Sequence, residues 1–126
     1  MSGKMLLIIL DGVPHANWRS YFGCLEGWVK SGEARVWKMR AVLPSMSAPC
    51  YASIHSGNPP QVHGVLSNGL IKRVDMPDVF SEVRKAGGVT GAVAHSWWSE
   101  FFNRSPFDMV RDIEYDEPES ASINHG

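Results

Sequence analysis

The chain has 126 residues and a formal net charge of −1, from 12 Lys and Arg against 13 Asp and Glu. Hydrophobic residues make up 44% and charged residues 20%, which excludes an intrinsically disordered chain and allows a core that buries roughly two-thirds of the unfolded surface. No basic block and no acidic tail breaks this balance, so nothing in the charge pattern points to nucleic acid or an anionic membrane surface as a partner.

Met5–Leu10 (MLLIIL) is a continuous apolar run closed by Asp11-Gly12. It is far shorter than the roughly 20 apolar residues of a membrane span and lacks the small-residue cleavage site of a secretory leader. It fits a central strand buried on both faces, as parallel sheets use. Asn17 is placed to cap a helix to about Lys30, because Trp18, Phe22, Leu25 and Val29 recur at spacings of three and four and Gly32 follows as a stop. Residues 35–42 alternate and read as a second strand. Pro44-Ser45-Met46-Ser47 makes a polar turn into a short helix over 48–55, with Pro49 tolerated in its first turn.

Gly57-Asn58-Pro59-Pro60 ends that helix. Residues 61–72 read as a loop, with strand pairing over 70–74. Pro77-Asp78 opens another helix, with Val79, Phe80, Val83 and Ala86 as its apolar face and Gly87-Gly88 as its stop. Residues 89–94 form a further short strand. Residues 95–108 are irregular and crowd together His95, Trp97, Trp98, Phe101, Phe102 and Phe107, and residues 112–120 read as an acidic loop. This alternation predicts an α/β fold with a mostly parallel sheet and flanking helices. No repeat or linker divides the chain. Its ending at Ile123–Gly126, with no covering helix, is read as the edge of an N-terminal portion, residues 1–126, of a larger α/β domain.

Cys24 and Cys50 are too few for a disulfide framework or a Cys-rich zinc pattern. They are expected as reduced, buried thiols, and the protein is expected in the cytoplasm. Gly87-Gly88-Val89-Thr90-Gly91 has dinucleotide-loop composition but precedes its strand, so that reading fails.

Two positions carry the chemistry. Asp11 directly follows a strand, where open parallel sheets bind ligands, and Gly12 leaves room beside it for a hard or borderline cation. An Asp in a turn is the competing reading. Ser47 opens a helix, where unpaired N–H groups and the helix dipole favour an alkoxide and a phosphate oxygen, and a metal could complete its activation. Here the competing reading is a simple N-cap.

LLIILDG and PSMSAPCYASIHSGNPPQVHGVLSN together resemble the alkaline phosphatase superfamily, in its type I phosphodiesterase/nucleotide pyrophosphatase branch. Pro44, Ser45, Ser47, Pro49, Ser56, Gly57, Pro60, His63, Gly64 and Asn68 fall in register with that branch without a gap. The resemblance implies an alkaline-phosphatase-like core and two divalent metal ions, zinc by preference. Asp11 and Ser47 would be metal ligands, and Ser47 the nucleophile that forms a phospho-serine. Asn68 and a neighbouring backbone N–H would hold a phosphate oxygen, and His63 would be structural. A small phosphate ester is the implied substrate.

Ser replaces the Thr common at the nucleophile position, and Ala48, Cys50 and Tyr51 depart from the branch's Phe and Asn-His, which alters the pocket wall. Tyr51 stands where a sulfatase needs Arg, which argues against that activity. Asp11 and Ser47 fall short of the three or more protein ligands a catalytic zinc takes. His15, His55 and His95 have no ligand-like spacing to a carboxylate, and His125 lies at the chain end. His95-Ser96-Trp97-Trp98 either lines a pocket or forms an aromatic core, and an exposed aromatic surface there would promote self-association. Against the hydrolase stand a non-catalytic binding or assembly domain and a phosphomutase of the same superfamily.

Overall fold

The computed structural model describes residues 3–95 and 97–102 and the backbone of Glu114–Tyr115. The expectations for Ser96, Phe107 and His125, and for all of the 112–120 loop except residues 114–115, lie outside the described residues. The chain divides into two compact units, Met1–Arg40 and Ala41–Gly126.

In the first unit, a 3-10 turn at His15–Asn17 leads into α1 (Trp18–Tyr21) and α2 (Gly23–Ser31). The single helix expected over these residues is broken at Phe22, which leaves helical geometry at φ −120° and ψ 57°. The glycine that follows propagates a helix poorly. The Phe22 carbonyl restarts the ladder, accepting from the N–H groups of Leu25 (2.9 Å) and Glu26 (3.1 Å). Asn17 makes no side-chain cap and lies inside the 3-10 turn. Gly32 stops α2 as expected, with φ +81° and its N–H on the Val29 carbonyl. Trp18, Leu25 and Val29 line an open apolar groove of about 280 Å³ together with Val13, Pro14 and Val36.

Neither Met5–Leu10 nor residues 35–42 form a strand. Leu6 and Ile8 are 83% and 66% exposed. A strand requires a neighbour for its N–H and C=O groups, and the one strand pair found among the described residues lies elsewhere in the chain.

The second unit holds the described core. Here α3 (Ser47–Ser56) is followed by α4 (Pro60–His63), α5 (Val79–Lys85), β1 (Ala94–His95), α6 (Trp97–Phe102) and β2 (Glu114–Tyr115). Ala48, Ala52 and His55 recur at spacings of four and three and are buried on one face of α3. Gly57 ends α3 at φ +70°. Residues 61–72 are not all loop, since Pro60 starts a single turn, α4, that Gly64 closes at φ +75°.

Asp78 starts α5 with a capping box. Its carboxylate accepts from the N–H groups of Phe80 and Ser81, and the Ser81 hydroxyl accepts from the Asp78 N–H. Residues 70–74 do not pair as a strand, and the Val74 N–H donates instead to the Phe101 carbonyl at the end of α6. Of the strand expected over 89–94, β1 takes in Ala94 and continues to His95. β1 lies parallel to β2, Ala94 opposite Glu114 and His95 opposite Tyr115.

The aromatic segment is a core. α6 buries Trp98, Phe101 and Phe102, and Phe102 packs 5.7 Å from Phe80 on α5. Full burial of a Phe contributes about 1.5–3 kcal/mol, enough to order a segment that lacks helical periodicity. Among the described residues the large exposed apolar side chains lie elsewhere, at positions such as Trp37, Met39, Val89 and Val93. No helix among the described residues is long and apolar enough to cross a membrane.

Candidate active site at the start of the third helix

The start of α3 decides what Ser47 can do. Met46 is the capping residue, with extended backbone (φ −103°, ψ 159°), and Ser47 is the first helical residue. The capping reading of Ser47 is thereby removed. The half-buried Ser47 side chain sits in the helix's first turn, where the partial positive charge of the dipole is greatest.

The first-turn donors are few. Pro49 has no N–H, and the Cys50 N–H returns to the Met46 carbonyl at 3.1 Å. The Ala48 N–H, immediately after Ser47, donates to Asn68 Oδ1 at 2.9 Å. This bond spans 20 residues and brings Asn68 to the Ser47 end of α3. It also settles the carboxamide's orientation: an N–H must face an oxygen, so the Asn68 NH₂ group points the other way.

Asp11 lies in the first unit, at an exposed turn, and its Oδ1 accepts the N–H of Gly12 at 2.8 Å. The structure thus brings Asn68 to the Ser47 end of α3.

The family model for type I phosphodiesterase / nucleotide pyrophosphatase matches residues 5–117, most of the chain. The chain belongs to that family. No curated protein and no solved structure matches it. The matched span takes in Asp11, Ser47 and Asn68 together.

The family implies metal ions, and the donor chemistry fits them in kind: a carboxylate and a hydroxyl oxygen suit a hard or borderline cation. Among the described residues no three His, Cys, Asp or Glu side chains gather as a metal-binding group.

The buried histidines have other work. His63 Nδ1 accepts the Val65 N–H at 3.1 Å, so the proton sits on Nε2, which donates to Ser53 Oγ at 2.9 Å. Burial pushes its imidazole below the ordinary value of 6.5 and the Lys72 ammonium adds to this, against the Pro49 carbonyl. His55 has the opposite tautomer. Its Nδ1–H donates to the Tyr51 carbonyl at 2.8 Å and its Nε2 accepts the Trp98 indole N–H at 3.2 Å. Its ring lies 4.7 Å from Phe102 and 5.4 Å from Phe80. Burial depresses its pKa too, against the weaker pull of the Tyr51 carbonyl and Asp78. Neither ring is placed as a metal ligand. The structural role implied for His63 has its geometric basis in the Ser53 and Val65 bonds, a pairing for which the sequence carries no periodic signal.

Tyr51 lies one helical turn beyond Ser47 and packs 4.6 Å from Trp98 and 6.4 Å from Trp97. The aromatic segment behind α3 therefore supports the helix. Cys24, expected to be buried, is exposed on α2, and Cys50 is half-buried; both are thiols.

Proposed function

We propose that the protein hydrolyses small phosphate esters of the phosphodiester or pyrophosphate type, with Ser47 as nucleophile and a phospho-serine intermediate. The observation that carries this reading is the Ala48 N–H to Asn68 Oδ1 bond, which gathers a hydroxyl, a backbone donor and a carboxamide at the start of one helix, in a chain whose family hydrolyses such bonds. The fold expectation, a parallel sheet with flanking helices, belongs to the same proposal and is supported by the parallel register of β1 and β2.

In this reading the Ser47 hydroxyl loses its proton to solvent and Oγ bonds to phosphorus as the bond to the leaving oxygen breaks. The leaving oxygen takes a proton from water. A second water then attacks phosphorus, the Oγ–P bond breaks, and Ser47 regains its proton. Asn68 Nδ2 donates to a phosphate oxygen as charge builds on it, while its Oδ1 stays on the Ala48 N–H. Two divalent ions, zinc by preference, would stabilise the deprotonated hydroxyl, with Asp11 and Ser47 contributing to their ligand shell.

The test is release of p-nitrophenolate from bis(p-nitrophenyl) phosphate in zinc-containing buffer. Ser47→Ala is expected to abolish it and Ser47→Thr, the residue common in the family, to retain it. Unchanged turnover in Ser47→Ala would remove Ser47 from the chemistry.

A further inference from the structure

Two side-chain bonds tie α3 to α4 and the segment that follows it. Asn68 Oδ1 accepts the Ala48 N–H at one end, and His63 Nε2–H donates to Ser53 Oγ at the other. As the chain runs from Ala48 to Ser53, its partners run from Asn68 back to His63, so the two stretches pass antiparallel. The ties lie five positions apart on α3, about 7.5 Å along its axis.

His63 is well suited to be the fixed end. It is 4% exposed, and both ring nitrogens are engaged, Nε2 on α3 and Nδ1 with the N–H of Val65 in its own segment. Val65 is itself fully buried. Asn68, by contrast, is exposed and held to α3 through one bond at the tip of the segment. What limits its movement is the anchoring behind it.

We propose that His63 is a positioning residue. By joining Ser53 of the nucleophile helix to Val65, it sets where Asn68 meets the Ala48 N–H, and hence the spacing between the Ser47 hydroxyl and the Asn68 carboxamide. The role rests on the hydrolase reading for its catalytic consequence but not for its geometry. Misplacing a group by about 1 Å at a reacting centre can cost on the order of 10²-fold in rate, so a buried ring that never touches substrate can govern turnover.

The experiment measures amide hydrogen exchange and turnover in the full chain, with His63→Ala, His63→Gln and Ser53→Ala. The Ala48 amide is expected to exchange about tenfold faster in His63→Ala and Ser53→Ala, the loss of roughly one hydrogen bond's protection. The Phe80 and Ser81 amides, held by the α5 cap, should keep their rates. With bis(p-nitrophenyl) phosphate, kcat is expected to fall about 10- to 100-fold with KM little changed. His63→Gln, whose amide nitrogen can reach Ser53, should recover most of both.

Unchanged Ala48 exchange in both His63→Ala and Ser53→Ala overturns the proposal, as does equal acceleration at Phe80 and Ser81, which would mean a general loss of stability. Selective acceleration at Ala48 in a protein whose wild type hydrolyses nothing upholds the positioning role and sinks the hydrolase reading. Full turnover in His63→Ala beside a dead Ser47→Ala does the reverse.

Discussion

His55 and Trp98 offer a perturbation whose size can be worked from contacts alone. In His55→Phe the aromatic packing against Phe80 and Phe102 is largely kept, but the Trp98 indole N–H loses its acceptor at 3.2 Å. A buried donor left without a partner costs about 1–3 kcal/mol. The Tyr51 carbonyl suffers less, because a carbonyl in an α-helix keeps its backbone partner. Removing the orphaned donor as well, in His55→Phe/Trp98→Phe, should return part of the loss, so the two substitutions will be non-additive by about 1 kcal/mol or more.

The same pair predicts an acid dependence. The folded pKa of His55 lies below its unfolded 6.5, so between the two values the unfolded chain binds the extra proton. Stability is then full above pH 6.5, falls as pH drops below it, and levels off below the folded pKa. His63 shifts in the same direction and contributes to the same fall. The assay is urea unfolding followed by far-UV circular dichroism between pH 5 and pH 8. His55→Phe should be less stable at pH 8 and show a shallower fall toward pH 5. If it is as stable as wild type at pH 8, or loses stability with acid as steeply, the neutral, doubly bonded histidine is the wrong description.

Asn68→Ala should lower kcat by about 10²–10³-fold, the usual loss for one donor to a developing oxyanion, while costing only about 1 kcal/mol of stability because the side chain is exposed and makes a single bond to α3. Steady-state kinetics beside thermal melting separates the two, and a large stability loss with unchanged kcat would make Asn68 purely structural. Asp78→Ala removes the acceptor for two α5 N–H groups and should cost about 1–2 kcal/mol, whereas Asp78→Asn keeps most of the cap; equal melting temperatures for all three proteins would refute the capping account.

Much of the local structure around the candidate site was legible in order of residue types. Pro44 to Gly57 announced a turn, a helix start and a helix stop, and α3 runs between those limits. Asp78 followed by an apolar run and Gly87-Gly88 likewise marked α5. These signals are short-range: proline, glycine and capping side chains act on backbone within a few residues of themselves. Phe22 shows the limit, since the apolar spacing of residues 18–29 is helical throughout yet the backbone breaks there.

What tertiary structure decided is the bonds through which distant residues meet, although the family resemblance had already set Asn68 beside the Ser47 segment. Asn68 on the Ala48 N–H, His63 on Ser53 and Trp98 on His55 are separated by 20, 10 and 43 residues. No periodicity encodes such pairs, because each depends on how whole helices pack and on which polar groups burial forces together. The same packing decided between the two readings of the aromatic stretch, making 97–102 the core behind α3. It also replaced the capping reading of Ser47 with a first-turn hydroxyl beside a long-range carboxamide. Residue types by themselves located the Ser47 segment and its family; folding supplied the bonds from which a chemical role for Ser47 can be argued.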